Sequence, residues 1–301
     1  MPDRDKPEAT GAGGMVLVTP TFAPDLDLFR HLHASARDLL PQSCRHLVIV
    51  PNRDYLLFKE FDGPRCDVVV ERDILPSRIR RVPGTKYRVN LRRPWPPLRG
   101  WIIQQLLKLA VAESASERLV LIADADIEFV RPVTPETFAP GGSARFYRLP
   151  KGIDASMTRH IQWHREAHRL LGLAPPASPP PTDYVSSLNS WDTDVVRRAL
   201  RQVEHVTGRS WLDAIAANLD FSEFTFYGVF VDHDDASRAS VVATDDPLCL
   251  NYWDPVPLST ASASEFVAGL RPTDVAVMIS AKSRTPMDVR RAALEEAARI
   301  S

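Results

Sequence analysis

The chain has 301 residues, of which 44% are hydrophobic and 25% are charged. This is enough apolar surface for a substantial core and excludes an intrinsically disordered protein. Lysine and arginine number 37 against 38 aspartate and glutamate, a net charge of -1, so no overall attraction to nucleic acid or to anionic lipid is expected.

Cysteine usage and the N-terminal sequence bear on location. Cys44, Cys66 and Cys249 are far apart and show no metal-ligand spacing. An odd number without pairs argues against a secreted disulfide framework, and we expect a cytoplasmic protein. Residues 1–14 lack the apolar core of a signal peptide and the pattern of a transit peptide, so we expect a disordered leader. We predict no transmembrane segment, because no later stretch approaches a membrane-spanning apolar run.

Short apolar runs alternate with segments of helical periodicity along the chain. We predict strands at residues 15–18, 46–50, 67–70, 119–123, 225–231 and 276–280. We predict helices at residues 25–40, 101–112, 156–171, 194–206, 211–218 and 286–300. Strands that alternate with helices imply βαβ units and an α/β fold with a mainly parallel sheet.

A proline-rich segment interrupts this pattern in the second half of the chain. Residues 174–184 read APPASPPPTDY and contain five prolines. Proline lacks the backbone N–H that a helix needs, so the segment cannot be helical. We predict an exposed, semi-rigid loop at residues 174–182.

One pair of aspartates stands at a strand end. The sequence contains five Asp-x-Asp triplets: Asp3/Asp5, Asp25/Asp27, Asp124/Asp126, Asp192/Asp194 and Asp232/Asp234. Only Asp124/Asp126 directly follows a five-residue apolar strand, where α/β sheets bind ligands, and side chains two apart point to one face. We therefore predict that both bind a hard divalent cation, Mn²⁺ or Mg²⁺. The alternative is a pair of turn or helix-capping aspartates.

A one-sided basic span precedes this strand. No acidic residue lies between Asp73 and Glu113, whereas nine basic residues do: Arg78, Arg80, Arg81, Lys86, Arg88, Arg92, Arg93, Arg99 and Lys108. This suggests a local site for a nucleotide diphosphate, with a solvated basic loop or a groove for a charged acceptor as alternatives. Gln105 and Lys108 are the strongest individual candidates, because three residues apart on one helix they share a face.

Three further residues are candidates. Glu223 is a lone carboxylate among aromatic residues in FSEFTFYGVFV, and apolar surroundings raise a carboxyl pKa, which suits a general base or an anchor for an acceptor hydroxyl. The alternative is a solvated glutamate at a strand entry. Lys282 follows the last strand and could close over a phosphate, or belong to a basic turn. His233 is an alternative third metal ligand, or a solvated residue in an acidic turn.

Four segments follow one another along the chain: VLVTPTFAPDLDLFRHLHAS, GWIIQQLLKL, LVLIADADIEFVRP and FTFYGVFV. Taken in this order, they resemble bacterial glycosyltransferases of the GT-A type, in particular a group that carries a domain of unknown function. The resemblance spans roughly residues 15–285. It implies a nucleotide-sugar donor, a Mn²⁺ or Mg²⁺ cofactor at the Asp-x-Asp motif, and a nucleoside cradled by the loop after the first strand.

The resemblance also implies roles for individual residues. Thr19 and Thr21 would lie near the nucleoside, Asp124 near the ribose and the metal, and Asp126 would be the direct metal ligand. Glu223 would match the acceptor-side carboxylate of inverting members. Lys282 would stand roughly where a phosphate-contacting residue lies, and the C-terminal histidine that often completes the metal site in related enzymes has no clear match here.

We therefore expect a GT-A-like, Rossmann-like α/β domain over residues 15–285, with a nucleotide-sugar half at 15–140, an acceptor-side half at 141–285 and a C-terminal helix at 286–301. The expected function is a metal-dependent glycosyltransferase that transfers a sugar from a nucleotide diphosphate sugar to a hydroxyl of a glycan or a small natural product. One alternative is a sugar-phosphate nucleotidyltransferase, which usually has a glycine-rich loop where this chain has Thr-Pro-Thr-Phe-Ala-Pro. The other is a non-catalytic nucleotide-sugar or glycan-binding module, which would not need Glu223.

Overall fold

The computed structural model describes residues 14–85 and 87–300. The predicted leader, apart from Gly14, and Lys86 of the basic span therefore lie outside the described residues. Within the described part of the chain, no helix combines the length and the apolar character needed to cross a membrane.

The described residues contain fifteen strands and twelve α-helices. The strands are β1 Met15–Pro20, β2 Arg45–Val50, β3 Cys66–Val70, β4 Ile79–Arg81, β5 Arg88–Asn90, β6 Arg93–Leu98, β7 Leu119–Ala123, β8 Ile127–Phe129, β9 Ala144–Tyr147, β10 Leu149–Pro150, β11 Thr182–Asp183, β12 Leu188–Asp192, β13 Val241–Thr244, β14 Cys249–Tyr252 and β15 Ala276–Ile279. The α-helices are α1 Leu26–Leu39, α2 Tyr55–Phe58, α3 Glu71–Ile74, α4 Gly100–Ser114, α5 Pro135–Phe138, α6 Thr158–Leu171, α7 Thr193–Thr207, α8 Trp211–Ala216, α9 Glu223–His233, α10 Asp235–Ser240, α11 Thr260–Val267 and α12 Met287–Ile300.

A five-stranded sheet with the order β12-β7-β1-β2-β3 forms the centre of the fold. Strands β1, β2, β3 and β7 run parallel, whereas β12 runs antiparallel to β7. Helices α4, α7 and α9 pack on one face and α1 packs on the other, so β1 and β7 are buried along their whole length. Continuous apolar strands are what a sheet covered on both faces requires. The predicted α/β class with a mainly parallel sheet is confirmed.

A second sheet continues from the first. It has the order β14-β15-β8, and only residues 124–126 separate the central strand β7 from β8. Strand β15 runs antiparallel to β8, with Met278 opposite Ile127. The segment that follows β15 is therefore brought alongside residues 124–126.

The predicted strand at residues 225–231 is wrong, because this segment belongs to helix α9. Ser222 caps the helix by accepting a hydrogen bond from the N–H of Thr225 at 3.2 Å. The helix is apolar on all sides because it is buried on all sides, and such a helix has no polar face to reveal its period. Its aromatic and β-branched residues imitate the composition of a strand. Glu223 is thus the first residue of a helix and does not enter a strand.

The other predicted elements are present. The remaining five strands correspond to β1, β2, β3, β7 and β15, and the six helices to α1, α4, α6, α7, α8 and α12. The sequence did not reveal a small antiparallel sheet, β4-β5-β6, within the basic span. Residues 174–181 of the proline-rich segment form neither helix nor strand.

Candidate active site at the end of strand β7

The candidate site begins where β7 ends. Asp124 directly follows the buried run Leu119–Ala123, and Asp126 directly precedes β8. The Asp124 side chain is 53% exposed, whereas Asp126 is partly buried. Ligands of open α/β sheets bind outside the carboxyl ends of the parallel strands. The two carboxylates therefore stand at the edge where such a sheet binds its ligands.

A buried lysine connects Asp124 to a second carboxylate. Lys108 Nζ lies 3.0 Å from Asp124 Oδ1 and 3.0 Å from Glu223 Oε1. The side chains of Lys108 and Glu223 are each 4% exposed, and Nζ also lies 5.1 Å from the centroid of the Phe224 ring. Charged groups leave water only at a large desolvation cost unless they are paired. The lysine therefore joins a solvent-facing carboxylate to a buried one.

Gln105 supports the same carboxylate through the backbone. Its Oε1 accepts a hydrogen bond from the N–H of Glu223 at 3.0 Å. The first N–H groups of a helix have no partner within the helix, so Gln105 satisfies one of these groups at the start of α9. Gln105 and Lys108 share a face of α4 and both reach α9. The structure thus brings together four of the predicted residues, Gln105, Lys108, Asp124 and Glu223.

Burial and ion pairing shift the pKa values of this group. Burial raises the pKa of Glu223 above its usual value, and the Lys108 cation offsets part of that rise. Burial alone would lower the pKa of Lys108, but the charges of Asp124 and Glu223 outweigh it, and the pKa is raised. Lys108 therefore remains a cation at neutral pH and serves as the counterion of a buried carboxylate.

Asp126 is held by the segment that follows β15. Its Oδ2 accepts a hydrogen bond from the N–H of Ala281 at 2.7 Å. The pKa of Asp126 is raised to about 6, through burial first and then through the charge of Asp124, while the hydrogen bond from Ala281 opposes the rise. Lys282 follows Ala281 in the chain and is exposed. This segment therefore contributes one direct contact to the site and presents a lysine next to it.

A third carboxylate, Asp25, which was not predicted as a site residue, interacts electrostatically with Asp124 and Asp126. The pKa of Asp25 is raised to about 6, through burial first and then through the charges of Asp126 and Asp124. Charge interactions of this kind act over short separations. The positive charge of Arg290 lowers the pKa values of both Asp25 and Asp126. The available signal was that Asp25 belongs to an Asp-x-Asp triplet in the loop after β1, which ends at the same sheet edge as β7.

The remaining predicted residues are placed differently. Thr19 is fully buried, and its hydroxyl lies 3.0 Å from His46 Nε2. Thr21 is also buried, but it follows the carboxyl end of β1 and its hydroxyl has no hydrogen-bond partner among the described residues. His233 lies ten residues after Glu223 on α9, which corresponds to about 15 Å along a helix. Thr21 therefore lies at the ligand-binding edge of the sheet, whereas Thr19 and His233 are not part of the group.

Three arginines of the basic span are paired with carboxylates from outside it. Arg78 Nε lies 2.9 Å and an Arg92 nitrogen 2.8 Å from carboxylate oxygens of Asp213. Arg88 pairs with Glu71. Pairing between guanidinium and carboxylate groups is strong and directional. The positive charge of these three arginines is thus offset by ion pairs within the fold.

The donor set of Asp124 and Asp126 suits a hard divalent cation. Both groups offer carboxylate oxygens, and each uses one oxygen for its contact with Lys108 or Ala281. Mg²⁺ at nucleotide sites takes one or two carboxylates and completes its shell with phosphate and water oxygens. No set of three carboxylates in the described residues brings its oxygens within 4.8 Å of one another. The residues therefore fit Mn²⁺ or Mg²⁺ shared with a phosphate, not a cation enclosed by protein alone.

Comparisons with known proteins give one family match. A family model described as a family of unknown function, DUF6492, matches residues 19–248, which is 230 of the 301 residues. No curated protein matches the chain. Among solved structures, the crystal structure of an active-site mutant of LgtC is similar at 13% sequence identity and a TM-score of 0.46, covering 95% of this chain and 96% of that chain.

Proposed function

This chain belongs to DUF6492, a family of unknown function, and we propose that it is a metal-dependent glycosyltransferase. The proposed donor is a nucleotide diphosphate sugar, and the proposed acceptor is a hydroxyl of a glycan or of a small natural product. The observation that carries the proposal is the contact of Lys108 with both Asp124 and Glu223 at the end of β7. The buried ion pair of Lys108 and Glu223 fixes the solvent-facing Asp124 next to Asp126. A surface turn does not need such a pair, which is costly to bury, whereas a binding site does.

In this proposal Asp124 and Asp126 would hold a Mn²⁺ or Mg²⁺ ion together with the donor diphosphate. When bound, the ion would neutralise the negative charge on the departing diphosphate. The exposed Lys282 would contact the same phosphates from the segment after β15. The buried, unpartnered hydroxyl of Thr21 would face the nucleoside side of the donor, because Thr21 follows β1 at the ligand-binding edge.

We assign Glu223 a positioning role. Its carboxylate is buried and engaged by Lys108, and its backbone N–H is engaged by Gln105. A general base must lie within hydrogen-bond reach of the proton it removes, whereas this carboxylate faces the interior of the protein. Through Lys108, Glu223 instead fixes the orientation of Asp124. The general-base role predicted for Glu223 remains the competing interpretation.

The resemblance in the four sequence segments supports a glycosyl donor. A nucleotidyltransferase is disfavoured because the loop after β1 lacks the glycine-rich sequence that would cradle a triphosphate, and it reads Thr-Pro-Thr-Phe-Ala-Pro. A binding module without catalysis would need no buried ion pair behind its metal ligand. A transferase and a binding module are therefore distinguished by whether the protein turns over its nucleotide sugar.

The test has two readouts on one protein. We expect a thermal-shift screen of nucleoside diphosphates and nucleotide sugars to give a higher melting temperature for one base, and a larger rise with Mn²⁺, because a ligand of the folded state stabilises it by mass action. We then expect slow release of the nucleoside diphosphate from the matching nucleotide sugar without added acceptor. The Asp124→Asn/Asp126→Asn double variant should lose the Mn²⁺-dependent part of both signals.

Asp194→Asn is the matched control. Asp194 is a member of another Asp-x-Asp triplet, is 69% exposed and follows β12, whose Asp192 pairs with Leu119 at the opposite end of β7. This variant should behave like the wild type. Binding that is unchanged in the double variant after chelation would refute the metal site, and donor binding without any release of product would refute the transferase in favour of a binding module.

A further inference from the structure

A cluster of metal-ligand side chains lies at the other end of the central sheet. His46 and Cys66 are direct partners in the parallel pairing of β2 and β3, near the start of each strand. His33 reaches them from helix α1. One potential ligand atom from each of the three lies within 4.8 Å of those of the other two. This is the only such set of three histidine, cysteine or acidic side chains in the described residues.

One nitrogen of each histidine in this cluster has no hydrogen-bond partner among the described residues. His46 is 6% exposed, and its Nδ1 has no hydrogen-bond partner among the described residues. The Nδ1 of His33 is likewise buried without one. A buried polar atom without a partner costs free energy comparable to a lost hydrogen bond. Two such atoms in one cluster favour a ligand that the described residues do not supply.

The other nitrogen of His46 is already fixed. Its Nε2 lies 3.0 Å from the hydroxyl of the buried Thr19. If Nε2–H donates to this hydroxyl, Nδ1 is left with a free lone pair. Metal-binding histidines show the same arrangement, since the ring nitrogen that does not bind the metal is held by a hydrogen bond that sets the tautomer. In this arrangement Thr19, which the resemblance places near the nucleoside, would instead orient His46.

We propose that His33, His46 and Cys66 bind one thiophilic transition-metal ion, for which Zn²⁺ is the best-suited candidate. Imidazole nitrogen and thiolate sulfur are the ligands that Zn²⁺ prefers, and hard ions such as Mg²⁺ do not use them. Tetrahedral Zn²⁺ with bonds of about 2.1 Å to nitrogen and 2.3 Å to sulfur separates its ligand atoms by roughly 3.5 Å. Because the three ligand atoms already lie within 4.8 Å of one another, each pair has to contract by at most about 1.3 Å to reach this separation.

The surroundings leave a fourth position open. A cavity of about 650 Å³ borders all three side chains, so a water or a small ligand can complete a tetrahedral shell. Nearby arginines do not compete for the site, because the guanidinium of Arg65 donates to the carbonyls of Leu40 and Pro41, and Arg45 pairs with Asp67 and Glu117.

Metal binding requires the thiolate form of Cys66 and neutral rings of His33 and His46. The thiol therefore releases its proton to solvent as the bond from sulfur to the metal forms.

This site is independent of the proposed transferase function. It lies near the amino ends of β2 and β3, whereas Asp124 and Asp126 lie at the carboxyl end of β7. Its ligands are nitrogen and sulfur instead of carboxylate oxygen. The chain would thus hold two cations of different chemistry at opposite edges of one sheet. The site of His33, His46 and Cys66 can therefore be tested in protein whose carboxylate site has been removed.

The test uses Co²⁺ as a coloured substitute for Zn²⁺, added to chelator-treated protein that carries Asp124→Asn and Asp126→Asn. We expect one equivalent of Co²⁺ to produce a near-ultraviolet absorption from thiolate-to-cobalt charge transfer, which Zn²⁺ then displaces. Cys66→Ser should abolish this band. His33→Gln should weaken Co²⁺ binding at least tenfold, because one of the three protein ligands is lost.

Two matched variants serve as controls. Cys44→Ser removes a buried thiol that borders the same cavity but donates to the carbonyl of Arg45, and His31→Gln alters a neighbouring histidine on α1. Both should keep the band and the affinity. Circular dichroism identifies any variant that fails to fold. A folded parent protein without a charge-transfer band, or a band that survives in Cys66→Ser, would overturn the proposal.

Discussion

Lys108 Nζ lies 3.0 Å from Glu223 Oε1, and both side chains are buried. The two residues are 115 positions apart in sequence and join helix α4 to the first turn of α9. Replacing a buried ion pair by apolar residues is often neutral or stabilising, so such a pair is weak evidence for a stabilising role. Here the lysine also reaches the solvent-facing Asp124 at the same distance. The ion pair between Lys108 and Glu223 is therefore best explained by its effect on the position of Asp124.

The first prediction concerns removal of the lysine. Lys108→Met leaves Glu223 buried without a counterion, and breaking a buried pair in this way costs about 3–5 kcal/mol of unfolding free energy. Unfolding in urea at neutral pH should show this loss. The Lys108→Met/Glu223→Gln double variant should recover a substantial part of it, because no uncompensated charge remains.

The pH dependence of the single variant follows from the same reasoning. Without Lys108, the folded-state pKa of Glu223 lies further above its unfolded value, so the folded state retains a proton that the unfolded state has lost. Stability then falls as pH rises between these two values and is recovered on acidification. A Lys108→Met protein whose stability differs from the wild type by less than about 0.5 kcal/mol, the range of ordinary surface changes, would contradict the assignment.

The second prediction concerns repulsion among the carboxylates. Burial, and then Asp126 and Asp124, raise the pKa of Asp25 from 3.8 to about 6. The folded state therefore binds more protons than the unfolded state between these values, and stability falls as pH rises through this window. Asp25→Asn should raise the melting temperature above pH 6 by about 2–4 °C, the shift that 1 kcal/mol produces in a protein of about this size. The gain should shrink toward pH 4.

The asparagine variant leaves the helix cap intact, because Asp25 makes no side-chain capping hydrogen bond at the start of α1. Asp27→Asn, at an exposed position two residues later, is the control and should show no comparable rise. Saturating Mn²⁺ should reduce the difference between Asp25→Asn and wild type, since the cation relieves the same repulsion. A gain of equal size at every pH would show that the effect is not electrostatic.

The third prediction tests the packing of α9. A Cβ at Gly228 would lie 2.2 Å from Cγ of Tyr184, and Tyr184 is itself fixed by a hydrogen bond from its hydroxyl to Asp232 at 2.6 Å. Gly228→Ala should destabilise the protein by about 1–3 kcal/mol or more through overpacking. Gly100→Ala, at the start of α4 where a Cβ meets nothing within 4 Å, should be neutral or slightly stabilising. Chemical unfolding of both variants makes the comparison.

Strand β12 of the central sheet, which reads LNSWD, was not predicted because it contains no apolar run. The other four strands of this sheet were predictable because burial gives each of them an apolar run in the sequence. Helix α9 was missed for the same reason, since burial on all sides removes the polar face that identifies a helix. Gly228 bears on the choice between strand and helix for this segment. In a strand it would mark a bulge, whereas here it makes room for the ring of Tyr184.

The candidate site was predictable only in part. The strand end identified Asp124 and Asp126, and helix spacing related Gln105 to Lys108. Asp25 was passed over because local sequence does not reveal that the loop after β1 meets the end of β7. The partner of Lys108 was equally hidden, since it lies 115 residues away. Long-range pairing of this kind depends on the packing of α4 against α9, which no local pattern encodes.

The last prediction separates positioning from proton transfer by Glu223. If Glu223 acts through Lys108 on Asp124, then Glu223→Gln loosens Asp124 and should lower kcat/KM for release of the nucleoside diphosphate roughly tenfold, equivalent to about 1.4 kcal/mol of transition-state stabilisation. The shape of the pH profile with acceptor present should stay unchanged, because no titrating catalytic group is lost. If Glu223 is instead the general base, the acidic limb of that profile disappears in the variant.

The same measurement on Gln105→Glu, which keeps the acceptor oxygen for the N–H of Glu223 but places a like charge beside it, should lower the rate without removing the limb. Loss of the limb in Glu223→Gln alone would therefore replace the positioning role by direct participation in proton transfer.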